Sequence, residues 1–250
     1  MTTLPSWCTL VRAGNPGPMT LEGTNTYVLA TSAGNVVVDP GPLLDEHLES
    51  VAALGPVIAV LLTHGHPDHA ESTRRFHEIT RASTLARDPK LCIEADPLSK
   101  DGALVDVPGL EIRVLHTPGH TSDSVCFEVA DEQTRAVLTG DTILGRGTAV
   151  VAYPDGQLGP YLDSLRRLSL LGDVIVLPGH GPLRPNAGAA AAEYIAHRAE
   201  RLDQVRAALA AGATTPLQVV EIVYADVDRA LWPAAEASVR AQLDYLTGES

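Results

Sequence analysis

The chain has 250 residues, 45% of them hydrophobic and 20% charged, with a formal net charge of −13. That supplies enough apolar residues for one large α/β domain, or a domain plus a small appendage, and argues against disorder. Only Lys90 and Lys100 among 18 basic residues are lysines, so a nucleic-acid or anionic-membrane partner is disfavoured. No apolar run approaches membrane-spanning length and no basic-plus-apolar leader opens the sequence, so a soluble cytoplasmic protein with no membrane partner is expected. Cys8, Cys92 and Cys126 are far apart and odd in number, which predicts small buried hydrophobes rather than a disulfide framework or a cysteine zinc finger.

In chain order, residues 8–11 and 26–30 read as strands around a Pro- and Gly-rich loop at 15–25. A strand over 35–38 is stopped by Asp39-Pro40-Gly41, and a helix is predicted over 45–53 before Gly55-Pro56. The apolar run Val57–Leu62 reads as a buried strand. A helix is predicted over 70–80, followed by short alternating segments. Strands are expected at 111–116, 125–129 and 136–138. Residues 142–157 read as a loop, 158–171 as a helix with leucines at helical spacing, and 174–177 as a last strand. Residues 187–211, 216–224 and 233–246 read as helices, with Thr214 and Thr215 as cap candidates and Pro233 near a helix start. The strand-rich part therefore ends near residue 185, which predicts a catalytic domain over 1–186 and a helical appendage over 187–250.

The run Val57–Leu62 delivers His64-Gly65-His66-Pro67-Asp68-His69, three imidazoles and a carboxylate of the kind that bind zinc and its neighbours. Three later strands end in a donor flanked by Gly or Pro: His120, Asp141 and His180. Seven donors are too many for one ion and suit two ions sharing a carboxylate. The partition places His64, His66 and His120 on one ion, Asp68, His69 and His180 on the other, and Asp141 between them. A water bridging such ions is acidified to a hydroxide nucleophile. Asp68 is assigned a second role, orienting that nucleophile. His47, His77, His116 and His197 are read as ordinary polar residues.

These motifs, with Asp39 at the end of its strand, resemble those of the metallo-β-lactamase superfamily. The resemblance implies an α/β fold of four layers, an αβ/βα sandwich with a dinuclear site at one edge, and a mostly structural role for Asp39 beside the metals. Residues 15–27, 119–124, 139–145 and 153–156 resemble the β-lactamase-like protein 2 branch more closely. That likeness, which extends through 215–246, implies that the appendage is winged-helix-like. Asp141 stands where class B1 β-lactamases carry cysteine, so antibiotic hydrolysis is not implied. The glyoxalase II branch shares all seven ligands but not the rest of the chain.

Two activities follow. The first is a dinuclear zinc hydrolase using a metal-bridging hydroxide on a small-molecule thioester, ester or lactone, with iron or manganese as alternative metals. The second, implied by the branch whose animal member cleaves single-stranded RNA, is an endoribonuclease with the same centre. The acidic balance favours the first. Residues 191–250 hold five arginines against nine acids, a net −4, so the appendage is expected to wall the cleft rather than read nucleic acid. Arg146, Arg198 and Arg201 are the places for a phosphate track if RNA is the substrate. A homodimer is the guess for assembly. A metal-binding scaffold without catalysis is disfavoured because all seven ligand positions are filled.

Overall fold

The computed structural model describes residues 2–151 and 153–248. The first sheet holds β1 (Cys8–Arg12), β2 (Asn25–Thr31), β3 (Gly34–Val38), β4 (Val57–Leu61) and β5 (Ser83–Leu85), side by side in chain order. The second holds β6 (Leu104–Val105), β7 (Glu111–His116), β8 (Val125–Ala130), β9 (Arg135–Gly140) and β10 (Ile175–Pro178), again in chain order. Both sheets are mixed. The pairs β3–β4, β4–β5 and β9–β10 are parallel and the others antiparallel.

Strand alternation sorts the side chains into layers, because successive residues point to opposite faces of a sheet. Leu29, Val38 and Leu61 face Ile112, Phe127, Leu138 and Leu177 in a core between the sheets. The residues of opposite parity in the first sheet, Val28, Val37 and Val60, lie under α1 (Asp45–Ala52) and α3 (Thr73–Thr80), packed with Leu48, Val51 and Phe76. In the second sheet Leu115, Cys126, Val137 and Val176 lie under α4 (Leu158–Ser169) and α5 (Ala187–Ala210). The result is the expected αβ/βα sandwich. The far half of α5 forms a separate small core with α6 (Pro216–Val223) and α7 (Trp232–Gly248), through Val205, Val219, Val220 and Val239. Thr215 and Gln218 close a capping box on α6. No helix among the described residues is long and apolar enough to cross a membrane.

Two details differ from expectation. The helix placed over 70–80 is two pieces, and the earlier one, α2 (Pro67–Ala70), begins inside the His–Asp motif. Pro67 supplies a preset φ at the first helical position. Strands β5 and β6 have three and two residues, too short to show a period in sequence.

Strand direction decides where the chemistry collects. Because β3 runs parallel to β4, and β7 shares its direction with β9 and β10, their C-terminal ends emerge at common edges. A clamp brings the two edges together. Asn25 Nδ2 donates to the carbonyls of Pro178 and Gly181, both at 2.9 Å, its backbone N–H donates to Gly179 O at 2.8 Å, and Tyr27 OH donates to Pro178 O.

Gly119 lies in the loop between β7 and β8, packed against α4. Its φ is +140, and an added Cβ would fall 2.3 Å from Tyr161 Cα. Gly119→Ala is expected to destabilise the fold by roughly 3 kcal/mol in urea unfolding. Gly14→Ala, at a position with nothing within 4 Å, should change stability by less than about 0.5 kcal/mol.

Candidate metal centre

All seven predicted donors converge at the joined edges. His64 and His66 follow β4, Asp68 and His69 sit on the first turn of α2, and His120, Asp141 and His180 follow β7, β9 and β10. They fall into two clusters. His64, His66, His120 and Asp141 form one, and Asp68, His69 and His180 the other. In the first, His66 Nδ1 lies 3.1 Å from His64 Nε2 and 3.0 Å from His120 Nε2, and His120 Nε2 lies 3.7 Å from Asp141 Oδ2. In the second, His180 Nε2 lies 3.0 Å from Asp68 Oδ2 and 3.2 Å from His69 Nε2. Asp141 Oδ1 is 3.4 Å from both of those imidazoles. One carboxylate thus turns an oxygen toward each cluster.

The imidazoles are held from behind. His69 Nδ1 donates to Asp39 Oδ2 at 2.9 Å, His64 Nδ1 meets Thr63 Oγ1 at 3.0 Å, His120 Nδ1 donates to Val150 O, and His180 Nδ1 lies 3.3 Å from Gly23 O. In His64 and His120 the outward nitrogen carries the proton, so bare Nε2 lone pairs face His66 Nδ1. Bare lone pairs at such spacing repel unless a cation lies among them. Donor atoms around a tetrahedral transition ion sit roughly 3.3 Å apart, close to the spacing here. Asp141 Oδ1 is buried with no hydrogen-bond partner, another group that a cation would satisfy. The donor set fits metal ions.

Asp39 accepts from Thr63 N at 2.8 Å, from Thr63 Oγ1 at 2.7 Å and from His69 Nδ1, and is 2% exposed. Its φ of +53 is one that Asp tolerates better than most residues. Thr63 was not singled out in the sequence. Its hydroxyl donates to Asp39 and accepts from His64, so one carboxylate orients an imidazole in each cluster. A threonine directly before a His motif carries no signal of that role. Nor do the carbonyls of Gly23 and Val150, which are backbone groups.

Electrostatics separates the clusters. Burial, then the neighbouring His69 and His120, pushes His64 well below the usual imidazole range, and burial takes His120 down to about 4. For His69, burial is outweighed by Asp141 and Asp39, which raise it well above that range. For His180, burial is outweighed by Asp141 and Asp68, which raise it to about 9. Burial also opposes ionisation of Asp141, but His69 and His180 drive it well below the carboxylate range.

The other histidines and arginines singled out in the sequence belong to neither donor cluster. His47, His77 and His116 bond to Thr26 Oγ1, Ala82 O and Leu98 O, each at 2.9 Å. His197 differs, since its Nδ1 is buried without a partner. Among the arginines, Arg146 is paired with Glu22, and Arg201 donates to Val223 O and covers the Tyr224 ring. Arg198 is not a surface residue at all; it is 3% exposed and donates to Ala149 O.

Two outcomes test this arrangement. Thr63→Val, which removes the hydroxyl between Asp39 and His64, is expected to weaken metal binding about 10- to 100-fold by chelator competition. Acidification should strip the Asp68–His69–His180 cluster first. His180 is raised to about 9, so a metal must displace a proton there, whereas His120, lowered to about 4, offers no competing proton near neutrality. Metal content after dialysis at falling pH should therefore decline in two steps.

Comparison with known proteins places this geometry. The metallo-beta-lactamase superfamily profile matches residues 19–180, and that of the beta-lactamase associated winged helix domain matches 215–249. An atrochrysone carboxyl ACP thioesterase from Aspergillus fumigatus is 34% identical over 86% of this chain and 72% of its own length. A beta-lactamase-like protein 2 homolog from Caenorhabditis elegans is 34% identical over 95% of this chain and 83% of its own. The fold is shared with a metallo-beta-lactamase family protein from Thermus thermophilus, at TM-score 0.82 and 24% identity over 99% of this chain and 95% of that one. TTHA1623, solved in a di-iron-bound form, aligns at TM-score 0.58 and 27% identity over 72% of this chain and 95% of that one. The chain belongs to the metallo-beta-lactamase superfamily of hydrolases and carries that superfamily's associated winged-helix segment.

Proposed function

We propose that the chain hydrolyses a small-molecule acyl substrate, a thioester first and an ester or lactone next. The observation that carries this reading is a cavity of about 280 Å³ beside His120 and Asp141. Leu21, Leu144 and Val150 line one side, and Tyr224, Val227, Leu231 and Ala235 of the appendage close the other. Such a lining suits an acyl arm better than a nucleotide backbone. The thioesterase among the relatives supports the same chemistry.

His64, His66 and His120 would hold one ion, Asp68, His69 and His180 a second, with Asp141 between them. Two ions so held supply a nucleophilic water at neutral pH and a positive charge for the acyl oxygen. Zinc is the first choice and iron or manganese the alternatives, because nitrogen and oxygen donors do not select among these metals. Metal analysis of protein purified without added metal tests the choice.

The chain's own groups do the rest. Asp68, with 26% of its side chain exposed, is the most exposed carboxylate of the centre, and it orients the water and takes its proton. Asp39 and Thr63 keep the imidazoles in their ligating tautomers. The apolar walls exclude bulk water from the acyl group. Two of the three arginines named for a phosphate track are taken up by the protein itself, Arg146 by Glu22 and Arg201 by Val223 O and the Tyr224 ring, which disfavours the RNA alternative.

The deciding assay uses zinc-loaded protein against a thioester panel and labelled single-stranded RNA at low salt, where phosphate binding is strongest. Thioester turnover is expected, falling about 100-fold or more in Asp68→Ala. RNA cleavage that Asp68→Ala abolishes, without thioester turnover, would replace this reading with the nuclease.

A further inference from the structure

Arg198 lies on α5 in the wall of the cavity beside Asp141 and His120. It is 3% exposed. Its Nη2 donates to the carbonyl of Ala149, its guanidinium carbon sits 5.1 Å from the Tyr161 ring centroid, and its Nε is buried with no partner. No carboxylate among the described residues pairs with it, although Arg146, the other arginine lining the cavity, pairs with Glu22. A buried guanidinium without a counter-charge is costly. An acidic chain with 31 Asp and Glu residues had many ways to supply one. Beside Arg198, His197 Nδ1 is also buried without a partner, and it lines the same cavity. Arg198 and His197 thus stand together in the wall of a pocket that also holds His120 and Asp141 of the metal centre, which describes one end of a site whose other end is the scissile bond.

We propose that Arg198 receives a carboxylate on the substrate arm that enters this cavity, so that the substrate is an acyl thioester with a second, anionic end. The proposal rests on the acyl-hydrolase reading for the chemistry, but not for the binding. Arg is suited to the role because its guanidinium stays charged and keeps N–H donors beyond the one given to Ala149 O. The cavity wall next to it is apolar, which favours a short aliphatic spacer between the two ends. The carboxylate could belong to the acyl arm or to the thiol arm, and the chemistry of recognition is the same.

Three thioesters distinguish the possibilities in zinc-loaded protein: glutaryl and pentanoyl thioesters of one neutral thiol, and a pentanoyl thioester of 3-mercaptopropionate. One carboxylated substrate is expected to exceed the neutral one about tenfold or more in kcat/KM, and which one identifies the arm. Arg198→Met should erase that preference, the favoured carboxylated substrate losing about tenfold more in kcat/KM than the neutral one. Equal use of all three by the unmodified protein overturns the proposal. So does a variant that slows all three alike, since that is the mark of a structural role through the Ala149 carbonyl. Should Arg198→Met fail to fold, calorimetric titration of the unmodified protein with glutarate and with pentanoate decides. Glutarate is expected to bind at least about tenfold tighter, and equal affinity overturns the proposal. Tight glutarate binding without turnover of any thioester would keep the carboxylate site and remove the hydrolase reading.

Discussion

The buried carboxylate of Asp39 is the contact on which the site depends. It closes β3, takes both the amide and the hydroxyl of Thr63 at the end of β4, and holds His69 on α2. A buried acceptor with three donors is fully used, and removing any one of them leaves a charge or a donor unmatched in a dry place. The two parallel strands of the first sheet are thereby fixed in register at the point where both leave the sheet. Through Thr63 the same carboxylate reaches His64, so the two donor clusters share one orienting group. Their separation follows from the packing of β3 against β4, not from the loop that carries the motif.

The second sheet contributes the rest by the same device of strand ends. Asp141 and His180 follow neighbouring parallel strands, and Gly179 permits their approach, since a Cβ there would lie 2.7 Å from both Asp141 Oδ1 and His69 Cε1. The segment after Asp141 is held by Tyr161 and Tyr194, whose hydroxyls bond to Thr142 O at 2.7 Å and Leu144 N at 2.9 Å. This segment carries on to Ala149 and Val150, whose successive carbonyls bind Arg198 and His120. The cavity wall and the orientation of one donor imidazole are therefore the same stretch of backbone.

Most of the architecture was legible in sequence because apolar runs of four to seven residues alternate with Gly- and Pro-marked turns. The donors were legible because all but His69 stand beside a glycine or proline and they collect after the ends of apolar strand-like runs. Three things were hidden, each for a physical reason. Strands β5 and β6 are too short to carry a period. The start of α2 was masked because Pro67 reads as a spacer as readily as a first helical residue. Arg198 was hidden because burial of one long cation on an alanine-rich helix depends on what packs over it, here Tyr161 of α4 and the carbonyl of Ala149.

The order of the strands has one more implication. Each sheet is made from one continuous half of the chain, and among the described residues an isolated bridge from Thr24 to His180 links the halves across the segment near Lys100. The donors divide along the same line, with His64, His66, Asp68 and His69 before it and His120, Asp141 and His180 after it. Metal ions at this centre would act as a staple between two halves of a molecule, much as a disulfide joins distant segments. The strength of that staple would report on the docking of the halves as directly as it reports on the chemistry of the site.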